Sequence, residues 1–276
     1  MNNNTSQVTY IRPAKAWAAV DLRELWAYRE LLYFLTWRDL KVRYKQAAIG
    51  VAWAILQPIV TTAIFTVIFS TFARFETGSV PYPLFALAGS MLWLYVYSTV
   101  TTASTGFTGN TNLVTKVYFP RIIVPVAAAV AGIFDLLISF AILVIMMAYF
   151  WIGVTANVLL VPVFIAATLV LTAAVGTLFS ALNVKYRDVK FVLPFVLQIW
   201  MIASPIFYPA SLLPEKWRYV FAVNPLVGVI EGFRAAVFGG EFDGRLIAVS
   251  GVSLVLIVII SLAVFKKMED EFAVLI

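Results

Sequence analysis

Asp135 is the only charged residue between Arg121 and Lys185. A carboxylate inside so long an apolar stretch is costly in hydrocarbon, so it must face protein or water. Two roles fit it: a residue of a pore or gate, or a hydrogen-bonded contact between helices. A proton-coupled carrier wants partner charges at similar depth. The other long apolar stretches carry none, which argues against ion coupling. The rest of the inventory is short. The chain has no Cys and no His, which removes disulfides, thiol nucleophiles, His/Cys zinc sites and histidine proton relays. No Gly is followed by Lys, so the phosphate loop G-x-x-x-x-G-K-[ST] is absent. ATP-driven transport by this chain would need a separate subunit to supply the energy. Glu76, Glu215, Glu231, Glu241 and Asp243 show no metal-like spacing, which weakens the case for a membrane glycosyltransferase built on a carboxylate site.

Aromatic residues make up 15% of the chain. Trp93, Tyr95 and Tyr97 cluster in one apolar stretch, and Trp200, Phe207 and Tyr208 in another. Rings with a polar handle pack well on the apolar faces of sugars, so Trp93, Tyr95, Tyr97 and Trp200, with Asp135, are candidate channel-lining residues. The alternative is the interfacial belt of Trp and Tyr common to membrane proteins.

The elements that must position these residues are membrane helices. The chain is 62% hydrophobic and 12% charged, with mean hydropathy +0.94, against about 25% charge in a soluble domain. The fold class expected is an all-α polytopic membrane protein. Residues 1–50 read as a tail and an amphipathic interface helix, and residues 51–276 as the transmembrane region. Met1 to Gln7 lacks the basic and apolar regions of a cleaved signal. Asp21 with Glu24 reads as a helix start. Leu22, Leu25, Trp26 and Leu32 then repeat at helical spacing, and Trp37, Arg38 and Arg43 follow. The segment is too short in apolar length to span, which suits a helix lying in the interface plane or docked on a soluble partner.

Spans are expected at about 51–72, 84–104, 124–150, 159–182, 191–207 and 246–265. Leu136 to Val184 is uncharged for 49 residues, too long for one crossing of about 20 residues. It therefore reads as a hairpin turning at Gly153–Asn157. Pro58, Pro194 and Pro205 interrupt the first and fifth spans, and prolines there kink helices that neighbours then support. Pro209 to Arg245 reads as two short helices, in a re-entrant or interfacial hairpin. Pro214 suits the first position of one, Asn224 and Pro225 the cap and first position of the other, and Gly239-Gly240 its end. Of the 20 Lys and Arg residues, fifteen fall on one side of these spans and five on the other. The fifteen are expected to face the cytoplasm, with both termini inside. The net charge of +6 thus marks topology rather than nucleic-acid binding. Docking surfaces for a soluble partner are expected on the N-terminal segment and on the loops 110–121 and 185–190.

Several motifs, in order, carry a family resemblance. Arg43-Tyr44-Lys45-Gln46 with Gly50, Trp53 and Leu56-Gln57-Pro58 opens the first span. Asn112-Leu113-Val114-Thr115-Lys116-Val117-Tyr118-Phe119-Pro120-Arg121 precedes the third. Phe179 to Val189 follows the fourth, and Ser204 to Pro209 with Asn224-Pro225-Leu226 lies beyond the fifth. From about Glu24 on, the chain resembles the permease subunits of type-2 ABC exporters, in the branch that moves lipid-linked polysaccharides such as O-antigens, capsules and teichoic acids. Ala47 departs from it, since relatives often carry a small polar residue there.

The resemblance implies two copies of this chain forming a channel in the inner membrane, driven by two ATP-binding subunits that hold ATP and Mg. It implies a coupling helix around Asn110, Asn112, Leu113, Lys116, Phe119, Pro120 and Arg121, with Tyr186, Arg187 and Asp188 in the second loop. It also implies extracytoplasmic gate helices around Tyr208, Pro209, Pro214, Trp217, Asn224 and Pro225. Replacing Lys116 and Phe119 together is expected to uncouple ATPase assembly from export. An exporter of a small lipid or drug remains the alternative within the family.

Overall fold

The computed structural model describes residues 22–45, 50, 52–69, 80–269 and 272. All its regular elements there are helical: α1 Leu22–Ala27, α2 Arg29–Lys45, α3 Ala52–Thr66, α4 Tyr82–Ser104, α5 Thr111–Lys116, α6 Ile123–Tyr149, α7 Val161–Lys185, α8 Val189–Ile202, α9 Glu215–Phe221, α10 Pro225–Phe238 and α11 Gly244–Glu269. The expected cap at Asp21, the motif residue Gln46, the departure at Ala47 and most of the loop 74–83 lie outside the described residues.

Five helical stretches are long and apolar enough to cross a bilayer, at 52–69, 82–104, 123–149, 156–185 and 244–269. The protein is thus a polytopic α-helical membrane protein. These stretches coincide with five of the six expected spans. The expected span 191–207 is different. Its helix, α8, begins at Val189 and stops at Ile202 after 14 residues. Residues 203–207 are not helical, and 204–207 are buried. Pro205 has no N–H to continue the ladder, and the Ser204 hydroxyl donates to the Trp200 carbonyl at 2.7 Å.

Helix α4 is the core, enclosed on nearly every side by α3, α6, α7, α8 and α10. Its small residues Ala86, Ala88, Gly89 and Ser90 let neighbours approach closely. A Cβ at Gly89 would sit 2.4 Å from the Ile206 carbonyl oxygen. The Tyr95 hydroxyl donates to the Ala129 carbonyl of α6 at 2.9 Å, and Asn183 of α7 donates to the Ser104 carbonyl at 2.9 Å. By contrast α3, α8 and α11 expose long apolar faces, including Trp53, Ile64, Phe191, Phe195, Ile199, Val255 and Ile259.

Helix α2 does not merely touch one end of the bundle. Its Leu35 shares an apolar cluster with Ile123 and Val124 at the start of α6. Its Arg43 and Tyr44 reach Asp135, twelve residues further along α6, or about 18 Å of helix rise. So α2 climbs beside the first half of α6, a steeper placement than a helix lying flat in an interface plane. Its other side exposes Tyr33, Phe34, Trp37 and Val42.

Candidate functional site at the two ends of the bundle

The basic end is closed by an apolar knot. Leu35 of α2, Phe107 and Phe119 flanking α5, Ile123, Val124 and Ala127 of α6, Ala181 and Val184 of α7, Phe265 and Met268 of α11, and Phe272 all pack together. The Phe107 and Phe272 rings lie 5.0 Å apart. Arg121 donates to the Glu269 carbonyl and lies over the Phe272 ring. Five separate parts of the chain therefore meet here, and α2 and the end of α11 share one end of the bundle.

The expected coupling residues divide in this arrangement. Phe119 is buried in the knot, and Arg121 is committed to it. Leu113 packs against it and Pro120 is half-buried. Lys116, Val117 and Tyr118 are exposed, as are Tyr186, Arg187 and Asp188 after α7. For Asn112 only the backbone, on α5, is described. Asn110 immediately precedes α5; its amide donates to the Gly106 carbonyl at 2.6 Å, and its carbonyl oxygen receives Arg38 of α2. In the N-terminal segment Leu25 and Leu32 pack on the knot, whereas Trp26 and Trp37 face outward.

Asp135, midway along α6, is paired. Arg43 and Tyr44 both donate to its carboxylate. The Tyr44 ring meets Phe134 edge-on at 5.7 Å. The partner comes from the N-terminal segment, which the spans alone could not reveal. A cavity of about 350 Å³ opens beside the pair, lined among others by Trp53, Gln57, Tyr97, Ser98 and Thr101. Of the expected aromatic lining, only Tyr97 borders it with an open ring. Trp93 is buried against Trp200 at 6.1 Å, edge to face, and Tyr95 is buried against α6.

The opposite end is held by polar bonds. Asn224 caps α10 by accepting from the Leu226 N–H at 3.1 Å. The same side chain accepts from the Trp200 indole at 2.8 Å and donates to the Ala203 carbonyl at 3.1 Å and the Ser204 hydroxyl at 2.8 Å. Pro225 occupies the first turn of α10, and Gly239, at φ 74°, ends it in the left-handed conformation that Gly tolerates. Pro214 stands one residue outside α9, at its cap rather than its first position. Trp217 is exposed and Pro209 buried. The Tyr208 hydroxyl donates to the Ile202 carbonyl at 3.0 Å, and burial pushes its pKa up, so it stays a donor.

Arg234 of α10 dominates this end. It is 4% exposed. Its guanidinium donates to the carbonyls of Pro205 at 2.7 Å, Ile206 at 2.6 Å and Phe85 at 3.1 Å, and to Glu231 at 3.1 Å. It also lies 3.5 Å over the Phe85 ring. Non-helical backbone inside a membrane protein persists only where its polar groups are satisfied. Arg234 does this for the unwound segment after α8. Its planar fork of five donors suits three carbonyls and a carboxylate.

The profile of the ABC-2 type transporter family matches residues 30–238, which include all but the first residue of α2, both loops of the basic end and the Asn224–Arg234 end. The chain belongs to the ABC-2 type transporter family. Its similarity extends nearly end to end to curated relatives. It is 27% identical over 256 residues to the O-antigen export system permease protein RfbA of Myxococcus xanthus, covering 91% of this chain and 97% of that one. It is 25% identical over 245 residues to the RfbA protein of Klebsiella pneumoniae, with 88% and 94% covered. It is 24% identical over 240 residues to the polysialic acid transport protein KpsM of Escherichia coli, with 84% and 91% covered. As an ABC-2 family member it is a transport permease.

Proposed function

We propose that this chain is the channel-forming subunit of an ATP-driven exporter that moves a lipid-linked polysaccharide across the cytoplasmic membrane. The observation that carries the reading is the near-complete coverage of relatives whose names specify O-antigen and polysialic acid transport. The missing phosphate loop supports a separate ATP-binding subunit, which would hold ATP and Mg. Two copies of each subunit make the assembly. The exposed Lys116, Val117, Tyr118, Tyr186, Arg187 and Asp188 form the docking face for that subunit, with α5 as its coupling element. Tyr97 and Trp53, open beside a roomy cavity, are the rings a passing sugar would meet.

Six crossings are the reading of the topology. Lys185 ends α7 at the knot, and Leu246 near the start of α11 packs with Ala222 and Val227 at the far end. The chain must therefore traverse the bundle between them, and α8 with residues 203–207 is the segment available. An even number of crossings agrees with Leu35 and Phe272 sharing one cluster. With fifteen of the 20 basic residues on that side of the expected spans, both termini face the cytoplasm, and α9 and α10 form the extracytoplasmic gate.

Two experiments test this. Deleting the chain in its host should remove a surface polysaccharide and leave the glycan inside; intact surface glycan would reject the substrate class. Because the chain has no Cys, single cysteines report topology cleanly. An impermeant maleimide should label Lys216→Cys in intact cells and Lys116→Cys only after lysis. A second reading, export of something other than a glycan, rests on a 39% identical stretch of 100 residues, covering 35% of this chain, shared with the Escherichia coli inner membrane transport permease YadH, whose name specifies no cargo. Loss of a lipid rather than a glycan from the surface would favour it.

A further inference from the structure

Helix α2 is tied by charge to two different elements. Near its middle Arg38 reaches Asn110, the residue that leads into α5, while also pairing with Asp39 at 2.7 Å. Near its end Arg43 and Tyr44 reach Asp135 inside α6. Behind Asp135, the Ser139 hydroxyl donates to its backbone carbonyl at 3.0 Å. The two ties are about 7.5 Å apart along the helix. Over that short distance a hydrogen-bonded helix moves as a rod. Beside it lies a cavity of about 550 Å³ bordered by Arg38, Val42, Arg43, Thr102, Gly106 and Val124. It leaves α2 room to shift against α4 and α6 without repacking a filled core.

We propose that Asp135 is a positioning residue for transport. It receives, through Arg43 and Tyr44, the displacement that α5 imposes on α2 at Arg38–Asn110. It thereby converts movement at the basic end into movement of α6. A fixed anchor for α2 would need only the Leu35 knot. The additional ion pair joins the helix to the span that carries a charge near its middle. This inference rests on the proposed reading of α5 as the coupling element.

The test uses the full chain with its ATP-binding subunit in lipid vesicles, measuring ATP hydrolysis and glycan export together. Asp135→Asn keeps the shape and a hydrogen bond from Tyr44 but removes the ion pair. Complex yield and ATP hydrolysis should stay within about twofold, while glycan exported per ATP falls about tenfold, the scale of a coupling between sites. The exchange Arg43→Asp with Asp135→Arg should recover much of that ratio. An Asp135→Asn complex that exports at the unsubstituted ratio overturns the proposal. Failure to assemble, unrepaired by the exchange, also overturns it, because the contact would then only hold the fold. A second readout needs no glycan. Spin labels on Leu137→Cys in α6 and Val252→Cys in α11, both exposed positions, should change separation when nucleotide binds, and Asp135→Asn should abolish the change. If the unsubstituted complex exports no glycan, the proposed function fails, while the label distances still decide the role of Asp135.

Discussion

At the basic end, Leu35, Phe107, Phe119, Phe265 and Phe272 join five parts of the chain through apolar contact, with Arg121 laid across the edge. At the other end, Arg234 and Asn224 join α4, the segment after α8, and α10 largely through hydrogen bonds to backbone. On the proposed function, the difference follows from what each end must tolerate. Hydrogen bonds have fixed lengths and directions, so Arg234 holds one arrangement of the unwound segment after α8. Apolar contact is non-directional, so side chains of the knot can slide while staying buried. An end that receives movement from a partner is better built of the second kind, and an end that must stay shut against solvent of the first.

Removing Arg234 should have the largest effect on stability. Arg234→Leu leaves the carbonyls of Pro205, Ile206 and Phe85 and the Glu231 carboxylate without their partner, a loss of about 3–5 kcal/mol on the scale of broken buried pairs. Unfolding of the purified protein in mixed micelles should show it, and Arg234→Lys should recover little, because a point charge cannot serve three carbonyls. A fully stable Arg234→Leu protein would erase the contrast between the two ends. Phe119→Ala comes next, with about 3 kcal/mol lost to the cavity it opens. If the knot tolerates sliding, the same variant should keep part of its export in cells where protein levels are matched.

Asn224→Ala should cost about 1–2 kcal/mol through the lost cap alone, and more if the bonds to Trp200, Ala203 and Ser204 act together. Combined with Arg234→Lys its effect should not be additive, because both side chains brace the segment 203–206. Strict additivity in a double-mutant cycle would separate them into two devices. The smallest effect on stability belongs to Tyr186→Ala with Arg187→Ala. Both residues are exposed, so unfolding should shift by less than about 0.5 kcal/mol. Co-purification with the ATP-binding subunit should nevertheless fall. The pair thereby separates docking from folding. The Lys116 with Phe119 replacement does not, since Phe119 is a buried packing residue.

Much of the architecture was legible because bilayer length and the 3.6-residue period write directly into composition. The spans around α3, α4, α6, α7 and α11, the turn after α6, the Asn224-Pro225 start and the Gly239 stop of α10 were each readable locally. They depend on residues close together in the chain. The resemblance, too, was carried by short contiguous motifs. What the chain order concealed were contacts between residues far apart in it. Span five looked helical through Phe207 because its residues are apolar to that point. It ends at Ile202 because a guanidinium 29 residues further on satisfies the carbonyl of Pro205. Asp135 looked unpartnered because the other spans are uncharged; its partner waits 92 residues upstream, in a segment that reads as surface. Trp93 and Tyr95 looked available to a channel because ring and spacing alone do not say which side of a helix faces α6 and α8. Sequence by itself determined which segments are long and apolar enough to cross a membrane, since transfer free energy is a sum over neighbouring residues. Only the tertiary structure decided which polar groups meet there, since in a medium without water every buried charge must find its partner wherever the fold brings one within reach.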